Sequence, residues 1–335
     1  MSYQPPLIST PKILNLLGQI NDQLGRNAER NSQTQTFRLR RANRIRTIQG
    51  SLAIEGNSLS ISQITALLEG KPVIAPPKEV QEVKNALAVY ERFARYNPNS
   101  EHDLLEAHRV LMAGLVDEIG QYRRGGVCVL KDRTVVHMAP PASQLPRLMA
   151  QLFKWLDTTD YPALITSAVF HYEFEFIHPF ADGNGRMGRL WQSLILAKWN
   201  PLFANLPVES LVHANQVGYY QVIADSTDLT NCAPFVEYML DAILKTLEEM
   251  SLGDELGNKL VNSLGKNLSH IQLSILRLLL QEPRMTLKEM AVQIGVSTTT
   301  IENNLKKLRE QQLIQRVGSR RGGHWECLFS FELVL

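Results

Sequence analysis

Residues able to do chemistry crowd into one run, Glu175-Phe176-Ile177-His178-Pro179-Phe180-Ala181-Asp182-Gly183-Asn184-Gly185-Arg186-Met187-Gly188-Arg189. His178 has the side chain of a general base, and Asp182 that of a hard-metal ligand. Beyond the Gly-Asn-Gly turn, Leu190, Trp191, Leu194 and Ile195 recur at helical spacing, so the turn is predicted to open a helix. The first amides of a helix have no partner within it and favour an anion. Arg186 and Arg189, one turn apart, add a fork suited to a polyphosphate. Residue types and spacing alone describe a nucleotide site with its own base.

Residues 178–189 read His-Pro-Phe-x-Asp-Gly-Asn-Gly-Arg-x-x-Arg without a departure, and so resemble the signature of Fic-domain proteins. Family members mostly transfer AMP from ATP to a hydroxyl side chain of a target protein. The resemblance implies that His178 takes the hydroxyl proton and that Asp182 holds Mg2+. It implies that Gly183, Asn184 and Gly185 cradle the phosphates, that Arg186 steadies the leaving pyrophosphate and that Arg189 meets the γ-phosphate. Met187 and Gly188 belong to the same ATP-binding run. No GxxxxGK loop is present, so a P-loop mechanism is not supported.

Upstream, Ser51-Leu52-Ala53-Ile54-Glu55-Gly56 resembles the inhibitory motif of that family, Ser/Thr-x-x-x-Glu-Gly/Asn. The resemblance implies that Glu55 pairs with Arg189 in the place of the ATP γ-phosphate. Such a pair is costly to break by removing one partner when it is buried. Without the resemblance, the stretch reads as a helix end with Glu55 solvated and Gly56 as a C-cap.

The elements that must position these residues are mostly helices. Apolar periodicity and caps predict helices over 7–25, 58–70, 78–96, 101–116, 143–158, 162–176, 190–199, from 215, and over 233–250. Residues 26–49 hold seven arginines with a single aromatic, Phe37, among them, which favours a solvated helix face over a nucleic-acid arm. His108 and His171 each fall within a helix, with no metal-ligand spacing, and read as structural. Val127–Leu130 and Thr134–Met138 flank Lys131-Asp132-Arg133 as a β-hairpin. Fic proteins carry a flap at this place, so the hairpin near 127–138 is expected to dock an extended target segment by main-chain pairing. Val135, Val136, His137 and Met138 are expected to edge the nucleotide. Tyr219 and Tyr220 resemble the family's tyrosines near adenine.

Residues 251–267 read as a glycine-bearing linker or frayed helix. Residues 268–335 resemble a winged helix-turn-helix, and from Leu264 onward the chain holds ten Lys/Arg against six Asp/Glu. Thr298, Thr299, Asn303, Lys306 and Lys307 are expected to face DNA from its third helix, and Arg320 and Arg321 from the wing. The other use of such a fold is as a protein or dimer module.

The 335 residues carry a net charge of +2, which says little about partners, and three scattered cysteines, which suit a reducing cytoplasm rather than a disulfide framework. No run of eighteen apolar residues and no signal pattern is present. The expected fold is mainly α: a helical inhibitory region (1–98), a Fic core with its hairpin flap (99–250), a linker (251–267) and a winged helix (268–335). The expected activity is ATP-dependent, Mg2+-assisted adenylyl transfer to a target and to itself, restrained by Glu55, with a dimer as a means of controlling Glu55. Three alternatives stand: a hydrolase that removes AMP using Glu55, a DNA-binding regulator whose core senses nucleotide, and a transferase of another group such as phosphate or phosphocholine, the complete signature arguing against the phosphate-transferring relatives.

Overall fold

The computed structural model describes residues 3–30, 37–131, 134–264, 268–281, 283–318 and 323–328, with only the backbone described at 27–30, 37–40, 128–131, 134–138, 250–264, 270, 277, 280 and 281. The chain forms two compact units. One comprises residues 1–26 and 43–246, the other 27–42 and 247–335.

In the first unit, helix α1 (Pro11–Arg30) starts with proline in its first turn, where no amide partner is lost. Its stripe Ile13, Leu16, Ile20 and Leu24 is buried, as the spacing predicts. Helix α2 (Phe37–Ile54) buries Ile45, Ile48 and Leu52, but also Asn43, Thr47 and Ser51. It stops in a tight turn: Asn57 N–H donates to Leu52 O at 3.1 Å, and Gly56 takes φ 88°. Ser60 and Gln63 make a capping box for α3 (Ile61–Leu68). Helices α4 (Pro77–Glu91) and α5 (Glu101–Leu111) come next. Strands β1 (Cys128–Lys131) and β2 (Thr134–Met138) pair antiparallel, Cys128 opposite Met138 and Lys131 opposite Thr134, with a bulge after Val129.

After α6 (Leu145–Thr158), α7 (Ala163–Ile177) is buried nearly all round, by Leu164, Ile165, Ala168, Val169, Phe170 and Phe174 among others. A helix apolar on every face belongs in the middle of its unit. Helix α8 (Asn184–Trp199) packs along it, joined by the short loop that carries the candidate chemistry. Helices α9 (Val208–Ala214) and α10 (Gln216–Asp228) come after it, and α11 (Ala233–Leu264) begins. Apolar spacing did not foresee α9. It closes α11 at 250 and leaves 251–267 as a linker or frayed helix, and of these two the helix is observed, continuing to Leu264. Two glycines cost it roughly 1 kcal/mol each against alanine, and the Leu, Glu and Lys around them are strong helix formers.

In the second unit, α12 (His270–Gln281), α13 (Leu287–Ile294) and α14 (Thr298–Glu310) bury Ile275, Leu279, Met290, Ile301, Leu305 and Leu308 in one core. Strands β3 (Ile314–Val317) and β4 (His324–Cys327) pair antiparallel and close that core with Ile314 and Trp325. The mainly helical fold expected from sequence is the one observed. No described helix is long and apolar enough to cross a membrane.

Candidate active site

Helix α7 ends at His178, which adopts the left-handed conformation (φ 49°, ψ 60°) and turns the chain back towards α8. A non-glycine residue held there costs free energy, so its surroundings must fix it. Arg123 does so. Only 2% exposed, it donates from Nε to His178 O (2.8 Å), from Nη1 to Gly125 O (2.7 Å) and from Nη2 to Pro140 O (2.7 Å). Burial pushes its pKa down. The Nδ1 of His178 lies 3.3 Å from Glu175 O. A carbonyl can only accept, so Nδ1 carries a proton, and in the neutral ring Nε2 then holds the lone pair.

The loop between the helices is pinned from inside. Asn184 accepts from Phe180 N–H (2.9 Å) and donates to Phe180 O (2.9 Å), so both ends of its amide are engaged. It closes the loop. His108 accepts from Gly120 N–H at Nδ1 (2.9 Å), pairs with Asp182 O through Nε2 (3.1 Å) and stacks on Phe180. Burial depresses its pKa to about 4, so it is a neutral strut. Gly183 has φ 84°, and a Cβ there would lie 2.7 Å from Met112 Sδ. The first helical bond of α8 runs from Met187 N–H to Gly183 O, so the amides of Asn184, Gly185 and Arg186 precede the helical ladder.

Both signature arginines are tied to the segment around Glu55. Arg189, 2% exposed, donates from Nη2 to Glu55 Oε1 (2.6 Å) and Ser51 O (3.0 Å), and from Nε to Ser51 Oγ (3.2 Å). Burial alone would lower its pKa; the Glu55 carboxylate, with Tyr219 and Glu175, outweighs this and holds it above its ordinary value. Arg186 reaches Glu82 (3.4 Å) and Asp182 (3.1 Å). Glu82 in turn accepts from Asn57 Nδ2 (2.8 Å), two residues beyond Glu55. Among the described residues, Arg189 Nη1 and Arg186 Nε are buried donors with no hydrogen-bond partner. Such donors are costly to bury, and an anion would satisfy them.

Asp182 Oδ1 accepts from Gly183 N–H (2.5 Å) and Arg186, and its side chain is 46% exposed. Among the described residues no three His, Cys, Asp or Glu side chains converge on one point. A single half-exposed carboxylate does not make a zinc cage. It fits Mg2+, which one or two carboxylates and phosphate oxygens commonly hold.

The other expected residues divide. Met187 is fully buried, and a Cβ on Gly188 would lie 2.7 Å from the His171 ring, so these two serve helix packing. Tyr219, 1% exposed, shares a hydrogen bond with His171 Nε2 (3.0 Å), whose Nδ1 meets Gln192 Oε1 (2.6 Å). Tyr220, 41% exposed, is the open one of the pair. Val135, Val136, His137 and Met138 lie on β2, where side chains fall outside the described residues; Arg320 and Arg321 fall outside them altogether. Thr298, Thr299, Asn303, Lys306 and Lys307 are exposed on α14. Sequence reasoning missed Arg123, Glu82 and the two Ser51 contacts. The Arg123-Arg124-Gly125-Gly126 turn was visible, but nothing in it marked which arginine is buried.

Fold and loop together define a helical protein with an anion-seeking helix N-terminus beside a histidine. The Fic/DOC family model matches residues 98–196, and a winged helix-turn-helix DNA-binding model matches 268–315. A Fic family protein from Desulfovibrio desulfuricans G20, of known crystal structure, is 43% identical with a TM-score of 0.73, over 97% of this chain and 98% of that one. The chain belongs to the Fic family. It is also similar to the protein adenylyltransferases Fic of Drosophila erecta (30% identical, 60% of this chain) and Culex quinquefasciatus (31%, 61%). It spans about 40% of the length of these curated relatives.

Proposed function

We propose that the protein is an adenylyltransferase that moves AMP from ATP to a hydroxyl side chain of a target protein and of itself, and that Glu55 restrains it. The observation that carries this reading is the state of Arg189: paired with Glu55 and Ser51, yet with Nη1 lacking a hydrogen-bond partner among the described residues, beside the first turn of α8. A γ-phosphate there would satisfy that donor and replace the Glu55 carboxylate.

In this reading the triphosphate lies along the amides of Asn184, Gly185 and Arg186, where helix dipole and free N–H groups favour negative charge. Arg186 faces the departing pyrophosphate and Tyr220 the base. His178 Nε2 removes the proton from the target hydroxyl. The hydroxyl oxygen bonds to the α-phosphorus, the bond to the bridging oxygen breaks, and pyrophosphate leaves with the electron pair. Asp182 would hold Mg2+, which when bound supplies charge neutralisation on the phosphates. Glu55 acts by keeping Arg189 from the γ-phosphate, so that the α-phosphate is not brought in line with the hydroxyl. The hairpin β1–β2 offers an edge for an extended target segment. The winged helix adds a DNA-binding role for the second unit.

Mass spectrometry of protein incubated with ATP tests the scheme. Glu55→Gly is expected to carry more AMP than wild type, and His178→Ala none. Equal AMP on all three overturns it.

A further inference from the structure

Glu175 has no role in adenylyl transfer as described above, yet its carboxylate lies behind the histidine. It stands three residues before His178 on α7, with a side chain 11% exposed. Its Oε2 is 4.0 Å from His178 Nδ1, while its own backbone oxygen is 3.3 Å from the same nitrogen. Its Oε1 is buried without a hydrogen-bond partner among the described residues, 3.7 Å from His171 Nε2. It also faces Gly188, where a Cβ would lie 3.0 Å from it. A carboxylate so enclosed has been taken out of water without full compensation, which structure alone does not require.

We propose that Glu175 is a positioning residue for the histidine: its carbonyl fixes the proton on Nδ1, and its carboxylate steadies the imidazolium that forms when Nε2 takes the target's proton. This rests on the adenylyl-transfer reading for its use, but not for its geometry. In the step itself the hydroxyl O–H bond breaks and the Nε2–H bond forms. The freed oxygen pair bonds to the α-phosphorus as the bond to the bridging oxygen breaks, pyrophosphate leaves with the electron pair of that broken bond, and the proton later leaves Nε2 for solvent. The charge on the ring rises during this step, so a fixed negative group behind it helps only as the reaction proceeds.

The charged and titratable groups around Glu175 support the assignment. His171 and His178 face it from α7, Arg189 from α8, and the Tyr219 and Tyr220 hydroxyls from α10. Burial would raise the Glu175 carboxyl; His171, His178 and Arg189 outweigh it and hold the group below its ordinary value. Electrostatic coupling is reciprocal: if His178 favours the Glu175 anion, that anion favours protonated His178.

Histidine-selective 15N NMR tests this without ATP, the His178 signals being assigned by their loss in His178→Ala. In wild type at high pH, the shifts are expected to report hydrogen on Nδ1. In Glu175→Gln, the His178 titration midpoint is expected to fall by about one pH unit, whereas Glu175→Asp keeps most of the wild-type behaviour. In a Glu55→Gly background, the acid limb of the AMP-transfer rate should move down with it in Glu175→Gln. Hydrogen on Nε2 in wild type, which needs no Glu175 variant to fold, overturns the proposal. So does an unmoved midpoint in folded Glu175→Gln. A moved midpoint in a protein that transfers no AMP keeps the positioning assignment and rejects the adenylyl-transfer reading instead.

Discussion

Arg189 and Glu55, 134 positions apart, meet at 2.6 Å, with the guanidinium 2% and the carboxylate 28% exposed. Ser51 closes the same arginine from the preceding helical turn through its hydroxyl and its carbonyl. Removing one charge from such a contact leaves a buried guanidinium looking for an anion. A charge-assisted hydrogen bond contributes about 1.5–3 kcal/mol, so Glu55→Gly should raise the initial rate of AMP incorporation on the order of tenfold to a hundredfold. Ser51→Ala should raise it only a few-fold, because the carboxylate and the Ser51 carbonyl remain. Intact-mass time courses measure both. A Ser51→Ala rate above that of Glu55→Gly contradicts the ranking.

The left-handed His178 depends on Arg123, whose guanidinium serves three carbonyls on three segments at 2.7–2.8 Å. Lysine has no planar fork and cannot meet all three. Arg123→Lys is therefore expected to cost about 2–4 kcal/mol, the penalty for leaving one or two buried carbonyls without a donor. Urea unfolding followed by circular dichroism gives the value, and the AMP-transfer rate in the Glu55→Gly background should fall too. A stability change under about 0.5 kcal/mol, the size of an ordinary surface substitution, would show that the clamp is dispensable.

These two cases mark what a sequence discloses. Glu55 and Arg189 sit in patterned stretches, and their meeting was anticipated through the family resemblance. Helix spans came from apolar spacing, because α1 and α14 each bury one stripe. Arg123 left no such trace, since its partners are carbonyls that every residue carries. At Asn184 the residue type suits a phosphate, and the fold adds a use that no spacing shows, a side-chain amide bonded twice to Phe180. The Asn57–Glu82–Arg186 chain joins three distant elements, and no spacing rule encodes that. The continuation of α11 through two glycines shows local propensity deciding against a compositional cue.

Glu173 lies two residues before Glu175 and accepts a hydrogen bond from the Tyr3 hydroxyl. Burial pushes its pKa up to about 7, against the smaller opposing effect of that bond. Glu209, held by Ser193 at 3.0 Å, is likewise raised to about 7 by burial. An unfolded glutamate titrates near ~4.3, so the folded state keeps these protons longer than the unfolded state does. The stability they contribute is fully present below about pH 4.3 and is lost as pH rises through about 7. Thermal unfolding at pH 5 and pH 8 should therefore differ more for wild type than for Glu173→Gln with Glu209→Gln, by roughly 2–3 kcal/mol per group between these two pH values. A double variant with the same pH dependence as wild type means that these carboxyls titrate normally.

On α14, Ile301, Leu305 and Leu308 face the core while Thr298, Thr299, Asn303, Lys306 and Lys307 are exposed. One helix thus presents a buried stripe and a polar face carrying two adjacent cations. If that face enters a major groove, lysine–phosphate contacts should dominate affinity and make it salt-dependent. Lys306→Ala with Lys307→Ala is expected to weaken duplex binding about equally for all sequences and to reduce the slope of log K against log salt by about two. Asn303→Ala should act differently: a lost base contact, worth about 1–3 kcal/mol, relaxes preference at one position and leaves the salt slope unchanged. Fluorescence anisotropy with the full chain, titrated across salt concentrations, separates the two signatures. Duplex binding that is indifferent to salt, or unchanged by both sets of substitutions, takes α14 out of the interface.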